Sequence, residues 1–194
     1  MKPILIILSI LIAGVLLIQL YAMKSQKDIE VYSYTLVKAY DDFEVREYEA
    51  SLFTSVKLPT NDFKEASSKG FSVLAGYIFG GNDKEQQIAM TSPVSMSLED
   101  SMTMMFMVPK ELRRDELPLP NSNEISFKEE PARTVAAITF GGWSDSNKIE
   151  SYKQKLISAL QKEGLSYTDK FFFLGYNAPY EMTNRRNEVI VELD

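Results

Sequence analysis

The chain has 194 residues, 45% hydrophobic and 25% charged, which is the composition of one ordinary folded domain and not of a disordered segment. Its formal net charge is −6, but residues 28–194 alone carry −9, because Lys2, Lys24 and Lys27 precede them and no acidic residue does; so acidic a domain is a poor partner for nucleic-acid phosphates. The lack of both Cys and His excludes disulfides, thiolate zinc sites, cysteine nucleophiles, Ser-His-Asp triads and imidazole metal ligands.

The first element is an apolar stretch from Ile4 to Met23, broken only by Ser9, Gly14 and Gln19. Twenty helical residues span about 30 Å, the thickness of a bilayer's hydrocarbon core. Two readings fit this stretch. One is an uncleaved single-pass anchor over residues 1–23. The other is a signal peptide cut after Ala22, although Leu20 stands where a small residue is favoured. Either places the folded domain on the non-cytoplasmic side, membrane-bound in the first case and secreted or periplasmic in the second. Residues 24–31 are expected to be a polar tether and residues 32–194 the folded domain.

Within the domain, Phe43–Tyr48 alternates apolar and charged residues as a half-buried strand does, and Leu52–Leu58 continues as a second strand closed by Pro59. The period then changes. Phe63, Ala66, Gly70, Phe71, Leu74 and Ile78 recur at three- and four-residue steps, predicting a helix over about 62–79, capped by Asn61 and stopped at Gly80-Gly81. Strands are expected over Gln87–Met96 and Met102–Val108, and a long proline-rich connection over Pro109–Asn123. Strands at Ile125–Glu129 and Thr134–Phe140, a helix ending at Gly164, and strands at Phe171–Tyr176 and Val189–Leu193 complete the chain.

The order repeats. Ala50–Val56 overlays Ala132–Ile138 at a shift of 82, and Ser92–Met96 overlays Ala178–Met182 at a shift of 86. Two strand–helix–strand–strand halves joining into one curved sheet, with both helices outside, give an α+β fold.

Four segments carry a family resemblance. Tyr40-Asp41-Asp42-Phe43-Glu44-Val45-Arg46-Glu47-Tyr48 resembles the first strand of the SOUL haem-binding family. Asn82-Asp83-Lys84 with Ile88–Val94, then Phe140–Trp143, and finally Gly175–Pro179 with Arg185–Val189 are similar to its later signatures, in order. The resemblance implies a distorted β-barrel of two pseudo-symmetric halves flanked by two long α-helices. It also implies non-catalytic binding of haem or a related tetrapyrrole in an apolar cleft. By position, Phe71, Leu74, Ala75 and Ile78 of the first helix would line that cleft, with Tyr176, Pro179 and Tyr180 flanking it. Some members carry a histidine ligand in the first-strand motif where this chain has Glu47, so no histidine is available as an axial ligand.

Other candidates for iron are the methionines around Met102–Met107 and the phenols of Tyr176 and Tyr180, and Lys64, Lys69 and Lys84 are the cations within reach of the propionates. Core packing is the favoured account of both the methionines and the helix stripe. No pair of Glu, Asp, Tyr, Ser or Lys stands at a spacing that marks catalysis, so binding is expected, not an enzyme. The expected partners are a small-molecule tetrapyrrole and, through the amino-terminal segment, a membrane. An alternative is an effector-type module for another small apolar or cationic ligand, which suits a −9 domain.

Overall fold

The computed structural model describes residues 29–194 together with Ile4, Ile6, Ile7, Leu8, Ile10, Leu11 and Gly14. The expected anchor over 1–23 and most of the tether fall outside the described residues. Among those described, no helix is long and apolar enough to cross a membrane. The last two tether residues, Glu30–Val31, form a short strand, β1, paired in parallel with β5 (Thr91–Ser92).

Nine strands make one antiparallel sheet. In chain order they are β2 (Tyr34–Ala39), β3 (Glu44–Tyr48), β4 (Ser51–Leu58), β6 (Val94–Ser97), β7 (Met102–Met107), β8 (Ile125–Glu130), β9 (Arg133–Gly141), β10 (Tyr167–Gly175) and β11 (Arg186–Leu193). In space they run β2-β3-β9-β11-β10-β6-β7-β4-β8. Helix α1 (Phe63–Ile78) follows β4 and helix α2 (Ser146–Glu163) follows β9. β2 lacked a sequence signal because Leu36, Val37 and Ala39 are interrupted by Lys38, and the strand stands at a sheet edge with most of its residues exposed.

The two halves are β4-α1-β6-β7 and β9-α2-β10-β11, and they meet where β10 pairs with β6. Each half takes its outer strand from the other's segment of chain. β3 leads directly into β4 yet pairs with β9, while β8 leads directly into β9 yet pairs with β4. The shift of 82 therefore relates β4 to β9 as expected. The shift of 86 does not survive, because Val94–Met96 is strand and Ala178–Met182 is the connection between β10 and β11. Pro93 lies between β5 and β6, whereas Pro179 lies in that connection, so the two prolines do not occupy equivalent positions.

Strand alternation sends side chains to two faces. One face packs on the helices: Val56, Leu58, Met104 and Phe106 beneath α1, and Ala136, Ile138, Phe171, Phe173, Val189 and Val191 beneath α2. The other face carries a third cluster that includes Tyr48, Phe53, Met105, Val135, Phe172 and Ile190 and no helix residue. β3 and β4 stand second and eighth in the sheet, yet Tyr48 and Phe53 both touch the ring of Tyr32, at centroid distances of 4.5 and 5.3 Å. Only a strongly curled sheet brings them together. This is the distorted half-barrel with helices outside that the fold expectation described.

Two local readings need correction. Asp62, not Asn61, caps α1, its carboxylate accepting from the amide of Glu65 at 2.8 Å, the three-residue reach that an N-cap side chain has. The single strand expected over 87–96 is divided: Gln87 makes one bridge to Phe79, and regular pairing starts at Thr91. The long connection folds back on the end of α1, where Tyr77 donates to the carbonyl of Pro118 at 3.0 Å and Asp83 accepts from the amide of Leu119 at 2.8 Å.

Gly70 sits where α1 comes closest to the sheet. A Cβ there would lie 2.9 Å from Leu58 Cδ1 and 3.1 Å from Met104 Cβ. Gly70→Ala is expected to lower the thermal midpoint, since overpacking of about 1–3 kcal/mol exceeds the helix-propensity gain of about 1 kcal/mol. Gly76→Ala, on the exposed side of the same helix with nothing within 4 Å, should instead gain about 0.5–1 kcal/mol. Calorimetry on the two variants checks the opposite signs.

Candidate functional site

The seven residues carried over from the resemblance separate into four places. Leu74, Ala75 and Ile78 are buried in the core beneath α1. Phe71 stands at the rim, 37% exposed, with its ring edge-on to Phe106 at 5.4 Å. Tyr176 is buried on the helix-free side of the sheet, whereas Pro179 and Tyr180 lie exposed on the β10–β11 connection. The first three therefore shape α1's seat, and Phe71 alone of the helix set reaches the surface.

On the outer side of α1 a shallow open groove of about 720 Å³ runs past Asp62, Lys64, Glu65, Ser68, Lys69 and Ser72. Lys64 and Lys69 both line it, about 140° apart around the helix axis because five residues advance by about 1.4 turns. Lys69 approaches Glu124 at 3.5 Å, an exposed pair that holds it weakly. Phe79, one residue past the helix, is 65% exposed. Its apolar ring outside the core is a surface feature that the sequence, reading it as a helix terminus, did not single out.

The helix-free side holds the chain's most concentrated polar chemistry. Glu188 on β11 is fully buried and accepts from Arg46 Nη1 on β3 at 2.9 Å, Tyr176 Oη at 2.8 Å, Thr139 Oγ1 on β9 at 3.1 Å, and Arg186 Nε and Nη2 at 3.0 and 2.6 Å. Arg46 also pairs with Glu44 at 2.7 Å, and its guanidinium lies 4.3 Å over the Tyr34 ring. That of Arg186 lies 4.2 Å over the Tyr176 ring. Burial alone would push the Glu188 carboxyl up, but the donors from Arg46, and then Arg186, outweigh it and hold the group below its ordinary value. Neighbouring Arg185 pins the β10–β11 connection, donating to the carbonyls of Ala178 and Glu181 at 2.9 and 2.7 Å.

These contacts decide most of the iron-ligand candidates. Burial, followed by Tyr48 and Glu188, pushes the Tyr176 phenol up, and its proton is committed to Glu188, so it is no phenolate at neutral pH. Met102, Met104, Met105 and Met107 are all buried in the sheet. Glu47 points to solvent from β3, with its neighbours Arg46 and Tyr48 turned inward. Among the described residues, no three acids gather to hold a metal ion.

A family model described as SOUL heme-binding protein matches residues 29–192. The chain belongs to the SOUL heme-binding protein family. Among its SOUL relatives, heme-binding protein 2 of Mus musculus is 30% identical over 156 residues, 76% of each chain. Heme-binding protein 1 of Xenopus laevis is 31% identical over 155 residues, covering 76% of this chain and 81% of that one. Solved structures share the fold at far lower identity. The C-terminal domain of EcmrR superimposes with a TM-score of 0.61 at 11% identity, over 84% of this chain and 98% of that one. A hydrolase from Listeria innocua gives 0.57 at 8% identity, over 81% and 94%.

Breaking the Glu188 network in this SOUL domain has a defined sign. Glu188→Gln leaves buried Arg46 with the partly exposed Glu44 as its one remaining carboxylate partner and is expected to cost up to about 3–5 kcal/mol. A carboxyl whose folded pKa is depressed contributes stability above its unfolded value, near 4.5, and loses it as pH falls through the lower folded value. Urea unfolding from pH 7 to pH 3 should therefore show a steep acid limb in the wild type and a shallower one in the variant.

Proposed function

We propose that this protein binds haem or a related tetrapyrrole, reversibly and without catalysis, against the outer face of α1. Membership of the SOUL family across residues 29–192 is the observation that carries this reading, together with relatives named for heme binding. The residues fit the group in part. Phe71 and Phe79 offer apolar surface to a macrocycle, and Lys64 and Lys69 stand beside the groove as partners for the propionates. With Tyr176 committed to Glu188 and the strand methionines buried, the macrocycle and not the iron supplies the contact. Burying about 300 Å² of porphyrin at about 25 cal/mol per Å² yields about 7–8 kcal/mol gross. Association costs then set a ceiling near micromolar affinity.

The reading includes attachment to a membrane through Ile4–Met23, with residues 32–194 on the non-cytoplasmic side. The stretch is long enough to span and is followed by Lys24 and Lys27. The alternative, an effector-type module for another small apolar or cationic ligand, would for a cation need a buried acid open to it. Glu188, the acid beside Tyr176, is already held by two guanidinium groups, which disfavours it.

Titration of the full chain in detergent, following the Soret band for haem and fluorescence for protoporphyrin IX, is expected to saturate at one equivalent with both ligands. Lys64→Glu with Lys69→Glu should weaken both by roughly 2–10-fold, the worth of two exposed ion pairs. No saturable change with either ligand overturns the proposal. Carbonate extraction should leave the protein in the membrane fraction, and release would remove the tether. Because the chain has no cysteine, Asn123→Cys should be labelled by an impermeant maleimide from the non-cytoplasmic side alone.

A further inference from the structure

The chain has a single tryptophan, Trp143, and it stands 58% exposed in the turn between β9 and α2. It is held firmly there. The Arg185 guanidinium lies 4.1 Å over its ring, and Lys148 Nζ donates to the carbonyls of Gly141 and Trp143 at 2.7 and 3.2 Å. Since Arg185 also binds the carbonyls of Ala178 and Glu181, Trp143 and the β10–β11 connection form one surface. On that connection Tyr180 and Met182 are 54% and 62% exposed. Three large, partly apolar side chains on a hydrogen-bonded scaffold mark a contact surface, and Trp and Tyr are the side chains favoured at a membrane–water boundary.

The amino-terminal end of the described fold lies at the root of the same connection. Glu30–Val31 pair with Thr91–Ser92, Tyr32 N donates to the carbonyl of Ser92 at 2.8 Å, and Ser92 Oγ donates to that of Tyr176 at 3.2 Å. Residues 24–29 connect Met23 to β1, and six residues reach at most about 20 Å. A segment inserted through Ile4–Met23 would hold this end of the fold within that distance of the bilayer. The −9 charge of residues 28–194 disfavours an anionic surface.

We infer that Trp143, Tyr180 and Met182 form a face that rests in the interfacial layer of a zwitterionic phospholipid bilayer. This rests on the membrane tether proposed above and adds the orientation of the domain on it. The sole tryptophan reports on that face directly. The full chain is reconstituted into phosphatidylcholine vesicles with acyl chains brominated near the carbonyl end, floated on a gradient, and its emission recorded. Trp143 is expected to shift to the blue and lose roughly half its emission to the brominated lipid, as an interfacial indole does, and to be shielded from aqueous iodide. Flotation with full emission and free iodide access overturns the face but leaves the tether standing. Failure to float overturns both. Shielding from iodide that is the same in detergent and unaffected by brominated lipid points to a second copy of the chain as the occupant, and also overturns the inference.

Discussion

The carboxylate of Glu188 holds the sheet in one arrangement. Its donors come from β3, β9, β11 and the residue after β10, so four neighbouring strands converge on two oxygen atoms. A buried ion is tolerable only when its partners are all in place, and here they are in place in one register. A one-residue slip of β3 against β9 would turn Arg46 outward and Glu47 inward. That would put a second carboxylate beside Glu188 and leave the first without its strongest donor. The network is therefore better understood as fixing strand order and register than as a large net source of stability.

The exchange of outer strands between the halves follows from the same constraint. β3 brings Arg46 into the second half, while its continuation β4 belongs to the first. The short link from Tyr48 to Ser51 must therefore cross between halves, and it does so over Tyr32, whose hydroxyl donates to the carbonyl of Glu49 at 3.0 Å. The helix-free side is closed off in this way by tyrosines, methionines and paired charges.

The segments with strong local signals were legible from the sequence. The 3.6-residue stripe from Phe63 to Ile78 gave α1, and the alternation from Phe43 to Tyr48 gave β3, each within two residues of its observed limits. The strand–helix–strand–strand repeat gave the two halves. The pairing of β3 with β9 was not legible, because hydrophobic alternation fixes which face a residue takes and not which strand it meets. For the same reason Arg46 and Glu188, separated by 142 residues, carried no mutual signal, although both lie in segments that carry the family resemblance. On the candidate site, the resemblance carried over Phe71, Leu74, Ala75 and Ile78, and the last three seat α1 on the sheet. A stripe that seats a helix and one that lines a cleft have the same spacing, and exposure alone separates Phe71 from the rest.

An external site places opposing demands on the chain's charge. The domain's overall field repels a dianionic ligand at distances beyond the screening length of about 8 Å at physiological ionic strength, while Lys64 and Lys69 act only within it. Long-range charge therefore slows encounter, and local charge orients a ligand that has already arrived. Contact through one face of a flat molecule leaves its other face in water, so little else resists departure. A site on α1 built in this way would discriminate by shape and apolar area more than by charge, and would release its ligand as readily as it takes it up.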